Sequence, residues 1–241
     1  MEKYSKNYMV RSYEVDKDGY LRLLNIFNIF QDISDLHAQQ IGVGYDFCEE
    51  NHLAWVGANY RVKINHLPKW RDEITLQTWP SGSTAATAYR DSCGKDKDGH
   101  VLFMATSQWA LLDTTRMRPV ALAKHINVSD WLTDRMIDTD FPALKLPERI
   151  DFEKTFYVRF DDIDINNHVN NSIYPVWASE SVPVEFRQSH RLKEVAITFK
   201  RPALYGDEIL VSTEIDGTIT RHILKKKADN TVCAVAELEW I

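Results

Sequence analysis

Cysteine is scarce in this chain. Three residues, Cys48, Cys93 and Cys233, stand far apart in a sequence of 241. Their odd number and wide spacing exclude a disulfide framework and any cysteine-based metal motif. A basic excess is also missing: the formal net charge is −6, and no nucleic-acid-binding motif is present, so nucleic acid is not an expected partner. No apolar run approaches the roughly 18 residues that span a bilayer. The opening residues Met1 to Asn7 have neither the apolar region of a signal peptide nor the character of a transit peptide. There is no G-x-S-x-G nucleophile elbow, which argues against a serine hydrolase. Together these absences predict a soluble protein of a reducing compartment, the cytoplasm, with no membrane insertion.

Aromatic residues, by contrast, are plentiful. Ten Phe, ten Tyr and seven Trp supply broad apolar walls suited to sheets and to greasy ligands. The densest polar chemistry lies at 161–171, where three Asp, four Asn and one His are punctuated by three aliphatic residues. In an extended segment side chains alternate between two faces. Asp162, Asp164, Asn166 and His168 are then expected on one face, with Ile163, Ile165 and Val169 anchoring the other in a core. A row of acid, amide and imidazole is suitable material for acid–base chemistry on a carbonyl. A calcium loop begins similarly, but Asn167 stands where that loop needs Gly and Ile173 where it needs Glu, so no metal is expected. The run Lys225-Lys226-Lys227 reads as an exposed hairpin tip.

The two halves of the chain look alike. An apolar helix is predicted from Leu21 to about Gln40, stopped at Gly42 and largely buried. Alternating strands follow at 60–64, 74–79, 85–92 and 101–112. In the second half a strand at 154–160 leads into the polar row, and a helix from about Asn171 is capped by Asn170 and Asn171 and ended by Pro183. Strands at 195–200 and 209–213 follow. Trp70-Arg71-Asp72-Glu73-Ile74 and Tyr205-Gly206-Asp207-Glu208-Ile209 occupy matching turns, which suggests two copies of one α+β unit. The predicted organisation is residues 1–112, a linker at 113–147 with a short helix near 130–135, and residues 148–241. The two curved sheets are expected to fuse edge to edge, protecting their edge strands.

This pattern resembles the acyl-acyl-carrier-protein thioesterases. Asp162, Asp164, Asn166, His168, Val169, Asn170, Asn171 and Tyr174 match a D-x-D-x-N-x-H-V-N-N-x-x-Y run of the plant members, and Trp177, Glu180 and Ser181 continue it. Pro68-Lys69-Trp70-Arg71-Asp72 resembles the P-K-W-G-D turn, and Trp109, Asp113, Thr115 and Arg116 the end of the first domain. The resemblance implies a tandem, double hot-dog fold, two central helices each wrapped by a curved antiparallel sheet. One departure stands out: Pro202 and Ala203 occupy the place of a Glu-Cys pair. Glu180 and Glu194 are the candidates for a second carboxylate.

The resemblance implies hydrolysis of a fatty acyl chain carried on acyl carrier protein, releasing free fatty acid and ending elongation. His168 is the expected base, because imidazole titrates near neutral pH. Asn166 is expected to hold the carbonyl oxygen or the water. Asp164 is expected to orient either, or to act as base itself, with nucleophilic attack as an alternative. Backbone N–H groups after Asn171 are candidate oxyanion donors. Ile26, Phe27, Phe30, Trp55 and Val56 of the first unit are the expected contacts of the acyl tail. No cofactor is expected. The acidic carrier needs a local basic face, for which Lys63, Lys69, Arg71 and the Lys225 run are candidates. The chain is expected as a monomer or homodimer. Two rival readings are a coenzyme A thioesterase or dehydratase of the same fold, and a non-catalytic acyl-binding protein.

Overall fold

The computed structural model describes residues 1–241 and divides into two compact units, Met1–Thr139 and Asp140–Ile241. No helix is long and apolar enough to cross a membrane.

In unit 1 the strands are β1 (Tyr4–Met9), β2 (Leu53–Ile64), β3 (Glu73–Ser83), β4 (Thr87–Lys95), β5 (Val101–Asp113) and the two-residue β6 (Arg118–Pro119). They form an antiparallel sheet in the order β1-β3-β4-β5-β2, with β6 on β5. The long helix α1 (Leu23–Gln40) buries Ile26, Phe27, Ile29, Phe30, Ile33 and His37. Those spacings put one stripe against the sheet, with Asn28, Asp32 and Leu36 outside. The helix is therefore amphipathic rather than buried all round. Phe30 packs on Phe103 of β5, ring centroids 5.4 Å apart, and Phe27 on Tyr60 of β2 at 5.7 Å. A second helix, α2 (Tyr45–Glu50), follows the turn at Gly42.

Gly94 lets Phe103 fit. A Cβ there would lie 2.5 Å from the Phe103 Cζ atom, and that ring is fully buried. Gly94→Ala is expected to destabilise unit 1 by about 1–3 kcal/mol through overpacking. A thermal melt checks this; an unchanged transition would show that the ring has room to move.

Residues 130–135 form no helix. They run as an irregular strap, held because its polar groups find partners on the sheet. The Trp79 indole donates to the Asp134 carbonyl at 2.9 Å. The Met136 N–H donates to the buried Asp91 carboxylate at 2.5 Å. Arg135 donates to Thr106 Oγ1 at 2.8 Å and covers the Tyr89 ring at 4.4 Å. Side-chain anchoring of this kind carries no helical periodicity.

Unit 2 contains β7 (Phe152–Tyr157), α3 (Ile173–Glu180), α4 (Val184–Ser189), β8 (Leu192–Phe199), β9 (Glu208–Asp216), β10 (Ile219–Lys226) and β11 (Val232–Trp240). Its antiparallel order is β8-β11-β10-β9-β7. The helix α3 packs Tyr174 on Phe199 and Trp177 on Phe156. Pro183 stands at the cap of α4, so it starts a new helix beyond the end of α3. His222, on β10, is fully buried and bonded to Thr213, Ser181 and Thr220. Burial pushes its imidazole down to about 3, so it is a neutral structural residue.

Candidate active site

The polar segment is a tight turn and not an extended row. A short 3-10 turn, Phe160–Asp162, precedes it. The chain then reverses: Ile163 bridges to Val169, and the Asp164 N–H donates to the His168 carbonyl at 2.9 Å. Two local features close the reversal. The Asp164 carboxylate accepts the Asn166 N–H at 2.9 Å, an Asx turn. Asn167 takes a positive φ of 61°, a conformation that asparagine tolerates better than most residues. The expected alternation fails accordingly. Ile165 is 82% exposed at the tip, while Val169 is 1% exposed and serves as the anchor. Asp162 is buried behind the turn, where its carboxylate accepts from the Arg159 N–H and guanidinium.

The turn brings Asp164 and His168 together. His168 Nδ1 lies 3.6 Å from Asp164 Oδ1 and 3.4 Å from the Val169 carbonyl. Both contacts fall on Nδ1. The His168 side chain is 35% exposed and Asp164 only 14%, so the carboxylate backs the imidazole from the protein side. The Asn166 residue is exposed beside them. Tyr174 of α3, which is buried, accepts the Ala203 N–H at 2.9 Å, and Ala203 in turn accepts the Val169 N–H. Burial, reinforced by the nearby Asp164 charge, holds the Tyr174 hydroxyl well above its ordinary range.

Other candidates lie elsewhere. The expected oxyanion donors after Asn171 are partly spent: the Ser172 N–H donates to Asn170 Oδ1 and the Ile173 N–H to the Asn170 carbonyl. Asn170 thus organises the helix entry, and Ser172 is the cap residue. Glu180 ends α3 and is paired to Arg187 and Lys154. One helix of eight residues, roughly 12 Å, separates it from the turn side of α3. Glu194 is buried on β8. In unit 1, Ile26, Phe27 and Phe30 are buried, Trp55 lines a cavity and Val56 is 44% exposed.

The turn has a structural twin in unit 1. Val10-Arg11-Ser12-Tyr13-Glu14-Val15-Asp16-Lys17-Asp18-Gly19-Tyr20-Leu21 runs parallel to Val158 through Val169. Asp16 N–H donates to the Tyr20 carbonyl at 2.8 Å, Asp18 N–H to Asp16 Oδ1 at 2.9 Å, and Leu21 N–H to the Pro68 carbonyl at 2.9 Å. Glu14 is buried like Asp162, and Gly19 has the positive φ of Asn167. Tyr20 therefore stands where unit 2 has His168, and Asp18 where it has Asn166. The backbone is common to both; only one copy carries an imidazole. Tyr20→Phe is expected to leave turnover within about twofold, since the unit 1 turn carries no imidazole to serve as a base. Loss of turnover in that variant would give the unit 1 turn a chemical role.

The acyl-ACP thioesterase N-terminal domain model matches residues 1–128, and the C-terminal domain model matches residues 146–241. The chain belongs to the acyl-ACP thioesterase family. It is 28% identical to oleoyl-acyl carrier protein thioesterase 1 of Arabidopsis thaliana, over 89% of this chain and 66% of the relative. It covers 60–66% of the length of the first four plant relatives. Among solved structures, an acyl-ACP thioesterase from Bacteroides thetaiotaomicron superposes with a TM-score of 0.89 at 21% identity, covering 99% of this chain and 98% of that one. The 12:0-ACP thioesterase from Umbellularia californica gives 0.86 at 23% identity, covering 99% and 97%. The fold is the tandem hot-dog.

Proposed function

We propose that this acyl-ACP thioesterase family member hydrolyses fatty acyl thioesters borne on acyl carrier protein, with its chemistry in unit 2 and its acyl-chain pocket in unit 1. The observation that carries the reading is the half-exposed imidazole of His168, backed through Nδ1 by Asp164. A thioester carbonyl is electrophilic because sulfur donates little resonance. Hydrolysis needs a water, a base for its proton and a partner for the developing oxyanion. His168 Nε2 takes the proton from water, and Asp164 stabilises the imidazolium that forms. The Asn166 amide, which carries N–H donors and cannot ionise, meets the oxyanion. The imidazolium then returns its proton to the departing thiolate. The buried Asp162 carboxylate, paired to the exposed Arg159, and the Tyr174–Ala203 bond hold the turn from behind.

The test is thiol release over a range of acyl lengths on acyl carrier protein and on coenzyme A. Release from the carrier-protein substrates supports the proposal. Release confined to coenzyme A esters would reassign the carrier, and binding without release from either would leave an acyl-binding protein.

A further inference from the structure

Unit 1 holds a polar centre that the chemistry above does not use. A cavity of about 60 Å³ is lined by Trp55, Trp109 and Trp131, and also by Asp35 of α1 and Arg90 of β4. Three indoles make an apolar wall; two ionisable groups interrupt it. Arg90 Nη1 donates to His37 Nδ1 at 3.2 Å and to Thr78 Oγ1 at 3.3 Å. Burial and the Arg90 charge push His37 down to about 4, so its imidazole is neutral and accepts. Both contacts use one nitrogen of a group with five N–H donors. Desolvation brings Arg90 down to about 10, which leaves it charged at neutral pH. Asp35 is accessible because it lines an open cavity. The protein around it nevertheless removes enough water to push its carboxyl up to about 6, against the pull of Arg90.

A plain hydrocarbon tail entering this cavity strips water from both groups and returns no hydrogen bond, which is unfavourable. A hydroxyl answers both needs, donating to a carboxylate and accepting from a guanidinium. We propose that the cavity is a recognition site for acyl chains bearing a hydroxyl, the hydroxyl bridging Asp35 and Arg90 between the three indoles. That such a chain is a substrate rests on the function proposed above; its binding does not. A site built to hydrogen-bond a hydroxyl discriminates strongly against the analogue that lacks it.

The test uses the full chain and uncleavable amide analogues of pantetheine thioesters, from octanoyl to hexadecanoyl, each with and without a terminal hydroxyl. These probes carry no charge that Arg90 could take instead. Binding is read from tryptophan fluorescence and by calorimetry. The expected result is about tenfold tighter binding of the hydroxylated member at the chain length that places its hydroxyl at Asp35, a margin typical of one satisfied buried polar group. In Asp35→Leu the preference is expected to shrink to within about twofold, and Arg90→Met is the companion variant. Asp35 is accessible, so its variant tests the idea even if Arg90→Met does not fold. Equal or tighter binding of the plain chains at every length, a preference untouched in Asp35→Leu, or no binding of either series would overturn the proposal. Thiol release from the corresponding thioesters separates the two readings. Hydrolysis without hydroxyl preference removes this proposal alone, whereas hydroxyl-selective binding without hydrolysis removes the enzymatic one.

Discussion

His168→Ala is expected to lower thioester hydrolysis by about a hundredfold to ten-thousandfold, the usual contribution of a positioned general base. The fold should persist, because the side chain is half-buried and its bond to the Val169 carbonyl is long, at 3.4 Å. Asp164 needs two variants, since it has two jobs. Its carboxylate lies 3.6 Å from the imidazole and also accepts the Asn166 N–H that closes the turn. Asp164→Asn keeps an acceptor for the turn and removes the charge behind the imidazolium. At this separation and partial exposure the charge is worth about 1–3 kcal/mol, so a loss of roughly tenfold to a hundredfold is expected. Asp164→Ala removes both functions and should lose most activity, with a modest fall in melting temperature. Single-turnover thiol release and thermal melts on the three variants separate these effects. Near-normal turnover in both His168→Ala and Asp164→Ala would refute the assigned roles.

Strands were the most legible feature because burial on one face leaves a period of two. It locates β3, β5, β8 and β9 to within a few residues. The same rule misleads at 162–169, where acid and aliphatic residues alternate as well as in any strand. Alternation cannot report that Asp164 captures the Asn166 N–H, or that Asn167 accepts a left-handed backbone. The information was present in another form. Gly19 in the first copy occupies the place of Asn167 in the second, and Val10 to Leu21 aligns with Val158 to Val169 without a gap. A glycine at that position marks a turn needing positive φ. The Asp35–Arg90 cavity had no such signal. The two residues lie far apart in the sequence, and an Asp on an amphipathic helix reads as a solvated residue until the strand behind it is known. The strap at 130–136 was unreadable for a related reason: its partners, Asp91, Trp79 and Thr106, lie on other elements.

The twin turns sharpen the assignment of chemistry to unit 2. If backbone geometry alone made a site, both copies would have one. The copies share the Asx bond, the positive φ and the buried carboxylate of the 3-10 turn. They differ in Tyr20 against His168 and Asp18 against Asn166. Those substitutions put a phenol in place of the imidazole, and a carboxylate that would repel an oxyanion in place of an amide donor. The backbone geometry is common to both turns, and the side chains at these two positions are what differ.

Phe30→Ala should produce the largest change in stability, and it also decides what Phe30 is for. The residue is 2% exposed and packs on Phe103, itself fully buried and tight against Gly94. Truncating such a phenylalanine costs about 3–5 kcal/mol, a large share of the roughly 5–15 kcal/mol that holds a typical domain together. At about 2–4 °C per kcal/mol for a chain of this size, the melt should fall by roughly 6–20 °C. An acyl contact behaves differently. Trp55 lines the cavity, so Trp55→Ala should weaken chain binding with a smaller loss of stability. Val56, 44% exposed, should tolerate alanine in both measurements. A Phe30→Ala protein that melts normally yet binds acyl amides poorly would place the chain against α1, deeper than the cavity described here. A steep fall in melting temperature, with chain-length preference retained in the protein that remains folded, fixes Phe30 as core.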